Sequence, residues 1–104
     1  MSVVDTVVSA LSAYNPAIGE WRGTTTDDHV TIVPAYDTSF EADDAELTVD
    51  EYIDCHFFKK GDFQTLKTTA KAALINAGLA IDEYRYLECT DEQHHFVLTV
   101  IGRA

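Results

Sequence analysis

The sequence predicts an α+β domain in the order αββαββ, with one four-stranded antiparallel sheet and helices packed against it. Two stretches repeat apolar residues at helical spacing, and four others alternate at strand spacing. A three-residue polar turn joins the last two strands, which makes that pair antiparallel. The chain has 104 residues, enough for a single domain over residues 1–104 with a modest core. Hydrophobic residues make up 46% and charged residues 24%, the balance of a folded domain.

The first element is a helix over Val3 to Tyr14. Val3, Val4, Val7, Val8, Leu11 and Tyr14 recur at i, i+3, i+4 and i+7. Asn15-Pro16 stops it, because the residue before a proline avoids the α region. Ala17 to Asp28 then reads as a connection, with Trp21 between Gly19 and Gly23. His29 to Tyr36 alternates as a strand, Val30 and Ile32 on one side, Thr31 and Val33 on the other. Pro34 has no N–H to give to a ladder, so this strand lies at a sheet edge there or ends nearby. Asp37 to Glu46 is strongly acidic and reads as a mobile loop or the outer end of a long hairpin.

Leu47 to Phe58 is the second strand. Ile53, Cys55 and Phe57 share its expected buried face with Glu51, and Tyr52, Asp54, His56 and Phe58 share the other. Lys59 to Asp62 forms a turn, and Asp62 caps the helix that follows. That helix runs to about Ala77, with Phe63, Leu66, Ala70, Ala73, Leu74 and Ala77 as its apolar stripe and Lys67 and Lys71 opposite. Gly78 is its left-handed cap. Leu79 to Cys89 is the third strand, Thr90 to Glu92 a turn, and Gln93 to Gly102 the fourth strand.

Eighteen acidic residues against seven basic ones give a formal charge of −11, a field that repels phosphate backbones and argues against a duplex-binding role built on phosphate contacts and against sequence-specific nucleic-acid binding. No apolar run is long enough to span a membrane, and Met1 to Asp5 lacks the positive start of a secretory signal. Cys55 and Cys89 read as reduced thiols of a protein that stays or is assembled inside a cell.

The residues that bear chemistry form no recognised motif. Cys55, His56, Cys89, His94 and His95 are zinc-ligand types, but neither Cys-x-x-Cys nor His-x3-His occurs. Adjacent strand residues such as Cys55 and His56, or His94 and His95, point to opposite faces, so the reading is buried thiols and exposed strand histidines. No nucleophile elbow or glycine-rich phosphate loop is present. The expectation is a protein with no catalytic residue, cofactor or metal. The carboxylate clusters read as a solvated surface able to meet basic partners. The candidate residues form a subunit or partner interface instead. They are the aromatic anchors Trp21, Tyr36 and Phe40, the edge residue Pro34, and the acidic Asp43, Asp44 and Glu46.

At Tyr52 to Phe63 (YIDCHFFKKGDF) the chain resembles the small tail-completion proteins of tailed bacteriophages and prophages, the tail terminators, head–tail joining proteins and minor capsid proteins. In these an alternating strand ends in an aromatic residue and a Lys/Gly/Asp turn, and a helix follows at once. The likeness continues through Asn76-Ala77-Gly78, the acidic-aromatic stretch Asp82 to Tyr86, and His94-His95-Phe96. An N-terminal helix and the proline-containing strand Ile32 to Tyr36 extend it over most of the chain, from about Val3 to Ile101. The first strand opens here with Asp27-Asp28-His29, where many members have a proline and a tyrosine. The resemblance implies a non-enzymatic structural subunit that forms a ring, commonly hexameric, at the end of the tail tube and meets the head connector. It implies self-association and tail-tube and head-connector proteins as partners. It places the chain in the host cytoplasm during assembly and then in the virion. The rival reading is an acidic inhibitor or DNA mimic that binds a basic protein.

Overall fold

The computed structural model describes residues 2–19, 28–40 and 48–103. Helix α1 spans Val3–Ala10 and begins where the Ser2 hydroxyl accepts the Asp5 backbone N–H at 3.1 Å. The helical spacing continues past Ala10 only as a 3-10 turn, Ser12–Tyr14, so the expected helix to Tyr14 tightens over its last turn. Asn15, at φ 58°, reverses the chain.

The next segment departs from the sequence reading. Pro16–Ile18 is a short strand, β1, and not part of a connection. It pairs in parallel with β2, His29–Phe40, setting Pro16, Ala17 and Ile18 opposite Val30, Thr31 and Ile32. The sheet is therefore five-stranded and mixed, which corrects the expected four-stranded antiparallel sheet. The α+β class stands. The other strands are β3, Thr48–Lys60, β4, Ala80–Thr90, and β5, Gln93–Arg103, and the sheet order is β1-β2-β3-β5-β4.

Helix α2, Phe63–Asn76, carries the chain from β3 over β5 to the far edge, where β4 starts. Strands β3 and β4 are each antiparallel to the intervening β5, so β3, α2 and β4 form a split βαβ unit. Asp62 accepts the Thr65 backbone N–H at 3.1 Å and the Thr65 hydroxyl, which fixes the start of α2. Gly78, at φ +90°, ends it in the left-handed conformation.

The register lines up the core in rows. Val30, Phe57 and Phe96 are neighbours across β2, β3 and β5, and so are Ile32, Cys55 and Leu98. The next row holds Ile53 and Val100. These side chains are buried against Val3, Val7 and Leu11 from the α1 segment and Ala70 and Leu74 from α2. Both helices thus cover one face. Phe57 and Phe96 stack with centroids 4.9 Å apart and are fully buried. Removing either ring is expected to cost about 3–5 kcal/mol. Lys67 and Lys71 do not point away from the sheet as expected. Their ammonium groups lie 4.5 and 5.5 Å from the centre of the Tyr84 ring.

The β2–β3 ladder continues to Phe40 opposite Thr48, whereas β5 reaches only Asp50, opposite Arg103. The outer end of this hairpin therefore stands clear of the rest of the sheet. A strand of this length spans about 40 Å, in keeping with a molecule 52 Å long and 25 by 23 Å across.

Candidate functional site

Among the described residues, neither outer edge is fully paired along its length and both helices lie on one face of the sheet. Strand β1 covers β2 only as far as Ile32, whose carbonyl accepts the Gly19 N–H at 2.9 Å. Alternate residues of a strand direct their backbone groups to the same side, so the nitrogen of Pro34 also faces this outer edge. Pro34 is exposed, and the register shifts between Pro34 and Tyr36. A proline at an edge position followed by a bulge is how such a strand accommodates the missing N–H. Among the described residues, β2 runs past the end of β1 at Pro34, where an edge is expected.

The opposite edge is β4, exposed along most of its length. Its register slips between Ile81 and Glu83 and again between Tyr86 and Glu88. The second bulge turns Leu87 outward, and Leu87 and Tyr86 are 45% and 42% exposed. Ile18, on β1 at the far edge, is 59% exposed. Each edge therefore presents apolar surface to solvent.

The face away from the helices carries a line of rings. His29 stacks on Phe58 with centroids 4.5 Å apart, and Phe58 stacks on His95 at 4.2 Å. The ladders place these three side by side on β2, β3 and β5. One row along, His56 Nδ1 lies 3.0 Å from His95 Nε2. Asp54 shares this face and accepts the Thr99 hydroxyl at 2.8 Å. On β4, Arg85 pairs with Glu83 at 3.5 Å. His29, Thr31, Val97 and Thr99 are buried here. Burial pulls His56 below the ordinary imidazole range, with Asp54 opposing and Arg85 reinforcing the shift. His95 is lowered by burial and then by His56 and His29, against Glu88.

His94 points to the helix side, its ring 4.4 Å from that of Phe63 and its Nδ1 2.9 Å from the Tyr86 hydroxyl. The adjacent histidines thus split across the sheet, and so do Cys55 and His56. Cys55 lies in the core, where burial and then Asp54 push its thiol up to about 12. Cys89, expected to be buried like Cys55, is instead exposed, because it lies on the edge strand opposite His94. The zinc-type residues named from sequence are therefore spread over both faces. Among the described residues no group of three or more histidine, cysteine or carboxylate side chains is placed to hold a metal ion. A recess of about 440 Å³ opens between Tyr14, Asn15, Asp28 and Lys59 at one end of the sheet. Its Lys59 ammonium is 3.2 Å from Asp28, whose other oxygen accepts the Lys60 backbone N–H at 2.9 Å.

Of the interface residues named from sequence, Pro34 lies on β2 beyond the last residue that pairs with β1, and Tyr36 and Phe40 take ladder positions opposite Tyr52 and Thr48. Trp21, Asp43, Asp44 and Glu46 lie outside the described residues. The strand histidines are not exposed as expected. His29 is buried, and His56 and His95 are half-buried. The signal that joins them is the pairing of Phe57 with Phe96, which sets His56 beside His95 on the reverse face. No helix among the described residues is long and apolar enough to cross a membrane. In comparison with known proteins, the chain matches no family model and no curated protein.

Proposed function

We propose that the chain is a structural subunit of phage or prophage tail assembly, of the tail terminator or head–tail joining type. It closes head to tail into a ring at the tail-tube end and there meets the head connector. The assignment to tail assembly rests on the sequence resemblance, and the observation that supports a head-to-tail ring is the direction of the strands. β1 and β2 run one way, β3 the other, β5 with β2, and β4 with β3. The two outer edges therefore run in opposite senses. A second copy, related by rotation about an axis along the strands, brings its β2 edge beside β4 in antiparallel orientation, the more stable pairing. The same operation repeats at every copy, so the contact is heterologous and ends only when a ring closes.

The edges match this use in length and surface. β4 spans Ala80–Thr90, and among the described residues no strand pairs with the outer side of β2 from Val33 to Phe40. The bulges at Asp82 and Leu87 confine regular pairing to the stretch between them and leave Leu87 and Tyr86 to pack against the neighbour. An ordinary interface takes about 800 Å² from each partner. That is roughly an eighth of the 6189 Å² surface of this chain. The projecting β2–β3 hairpin supplies a second surface for the tube or the connector.

Cross-linking between the edges tests the reading. Ile18→Cys places a thiol at one edge, and Cys89 already stands at the other. A short bismaleimide should link Ile18→Cys chains into a ladder that stops at one closed size, while the unmodified chain stays monomeric on gels. Dimers of the unmodified chain, joined through Cys89 alone, would mean a two-fold contact between β4 edges, and the head-to-tail reading would fail.

A further inference from the structure

The helix-free face holds a group that ring closure does not use. His56 and His95 meet across β3 and β5 with Nδ1 and Nε2 3.0 Å apart. Two imidazole nitrogens at that distance form a hydrogen bond only when one carries a proton and the other offers its lone pair. A neutral pair satisfies this, and so does a singly charged pair, whose extra proton sits on an outer nitrogen. A doubly charged pair cannot. It turns two N–H groups toward each other and holds two cations in contact.

The surroundings set the pair apart from exposed surface histidines. On β3, Asp54 is held by the Thr99 hydroxyl. On β4, Arg85 opposes a positive charge, Glu88 favours one, and Glu83 is engaged by Arg85. On β2, His29 is separated from His95 by the ring of Phe58, stacked on both sides. Val97, fully buried, lies directly opposite His56 in the ladder. Moving either imidazole therefore disturbs a packed layer and not a solvated side chain.

We infer that His56 and His95 form a proton-operated latch between the two central strands of the helix-free face. The latch is closed while at most one imidazole is charged and opens when both are. The backbone ladder between β3 and β5 persists in either state. What loosens is the side-chain layer of Phe58, His95 and Val97. The sign follows from linkage. Both imidazoles are held below their ordinary value in the folded chain, so the unfolded chain takes up more protons on acidification. The contribution to stability is fully present above the ordinary imidazole value of 6.5 and is lost as pH falls from there through the folded values.

Nitrogen-detected NMR of the imidazoles in the unmodified chain, run from pH 8 to 5, tests this directly. At pH 8 one of the two facing nitrogens should carry a proton and the other should show a lone pair. On acidification the pair should titrate in two steps at least one pH unit apart. Urea midpoints give the second readout. The midpoint should fall between pH 7.5 and 5.5 in the unmodified chain, and by less than half as much in the His56→Gln/His95→Gln variant. Independent titration of both rings near 6.5 would overturn the latch, as would an equal fall in the variant. Equimolar zinc that raises the midpoint of the unmodified chain and not of the variant would assign the pair to a metal, and would also overturn it. The NMR titration needs no variant, so a misfolded double mutant leaves the test intact.

Discussion

Gly102→Ala is expected to destabilise the fold by about 1–2 kcal/mol, although it adds only one methyl group. Gly102 lies on β5 opposite Glu51, on the face that receives α1. A Cβ there would fall 2.5 Å from Val3 Cγ1 and 2.9 Å from Leu79 Cδ2. Carbon atoms are not found that close, so a neighbour must move. Val3 and Leu79 are only 5% and 8% exposed, which leaves little room to do so. Overpacking of this kind costs about 1–3 kcal/mol. The lower entropy of the unfolded alanine chain offsets about 0.4–1 kcal/mol. At about 4–8 °C per kcal/mol, the net effect lowers Tm by about 5–15 °C. Urea unfolding followed by circular dichroism measures it, with the midpoint moving and the slope unchanged. The cause is then isolated by Val3→Ala, which removes the methyl group that is struck. The Gly102→Ala/Val3→Ala double variant should be more stable than the sum of the single changes predicts. A Gly102→Ala chain as stable as the original, or strictly additive losses, would show that α1 does not press on β5 as described.

Three further outcomes follow from the same coordinates. The β4–β5 turn places Asp91 and Glu92 at φ 52° and 67°, a left-handed pair that suits Asn-Gly. Asp91→Asn with Glu92→Gly should therefore raise stability by about 1 kcal/mol, read as a higher urea midpoint. No gain would mean that the turn differs from the one described. Native protein should react with Ellman's reagent at one thiol per chain, the exposed Cys89. Cys55, buried and held as a thiol, should react only in denaturant. Two fast thiols would contradict the closed core. Asp62 is held below the ordinary carboxylate value, first by the Thr65 hydroxyl and then by backbone N–H groups. Its contribution is present above 3.8 and is lost as pH falls through the folded value. The stability difference between the original chain and Asp62→Asn should accordingly shrink as pH drops below 4. A difference independent of pH would remove the cap from the account.

Much of the fold is legible in local pattern. Asp62 and Gly78 bracket α2 because a carboxylate cap and a left-handed terminus are short-range chemistry. The alternation of Ile53, Cys55 and Phe57 picks out the buried face of β3 for the same reason. β1 is not legible in this way. Three residues, one of them proline, carry no period, and their parallel pairing with β2 depends on a return of the chain that no local signal encodes. Nor does the alternation of β4 survive its bulges. Asp82 and Leu87 each add a residue, which moves Tyr84 and Tyr86 onto the helix side beside Leu98 and Phe96. The imidazole pair is the clearest case of non-local information. Alternation separates His56 from Cys55 and His95 from His94. Only the β3–β5 register brings His56 and His95 together, and α2 and β4 intervene between those strands in sequence.

Native mass spectrometry across a wide range of protein and salt concentrations tests the central claim most directly. The chain carries a formal charge of −11, so copies repel one another, and screening should favour their association. The account predicts one closed species of about six subunits that grows with protein and salt concentration, with no two-fold dimer preceding it. A monomer under every condition, or a dimer that ends the series, would contradict it.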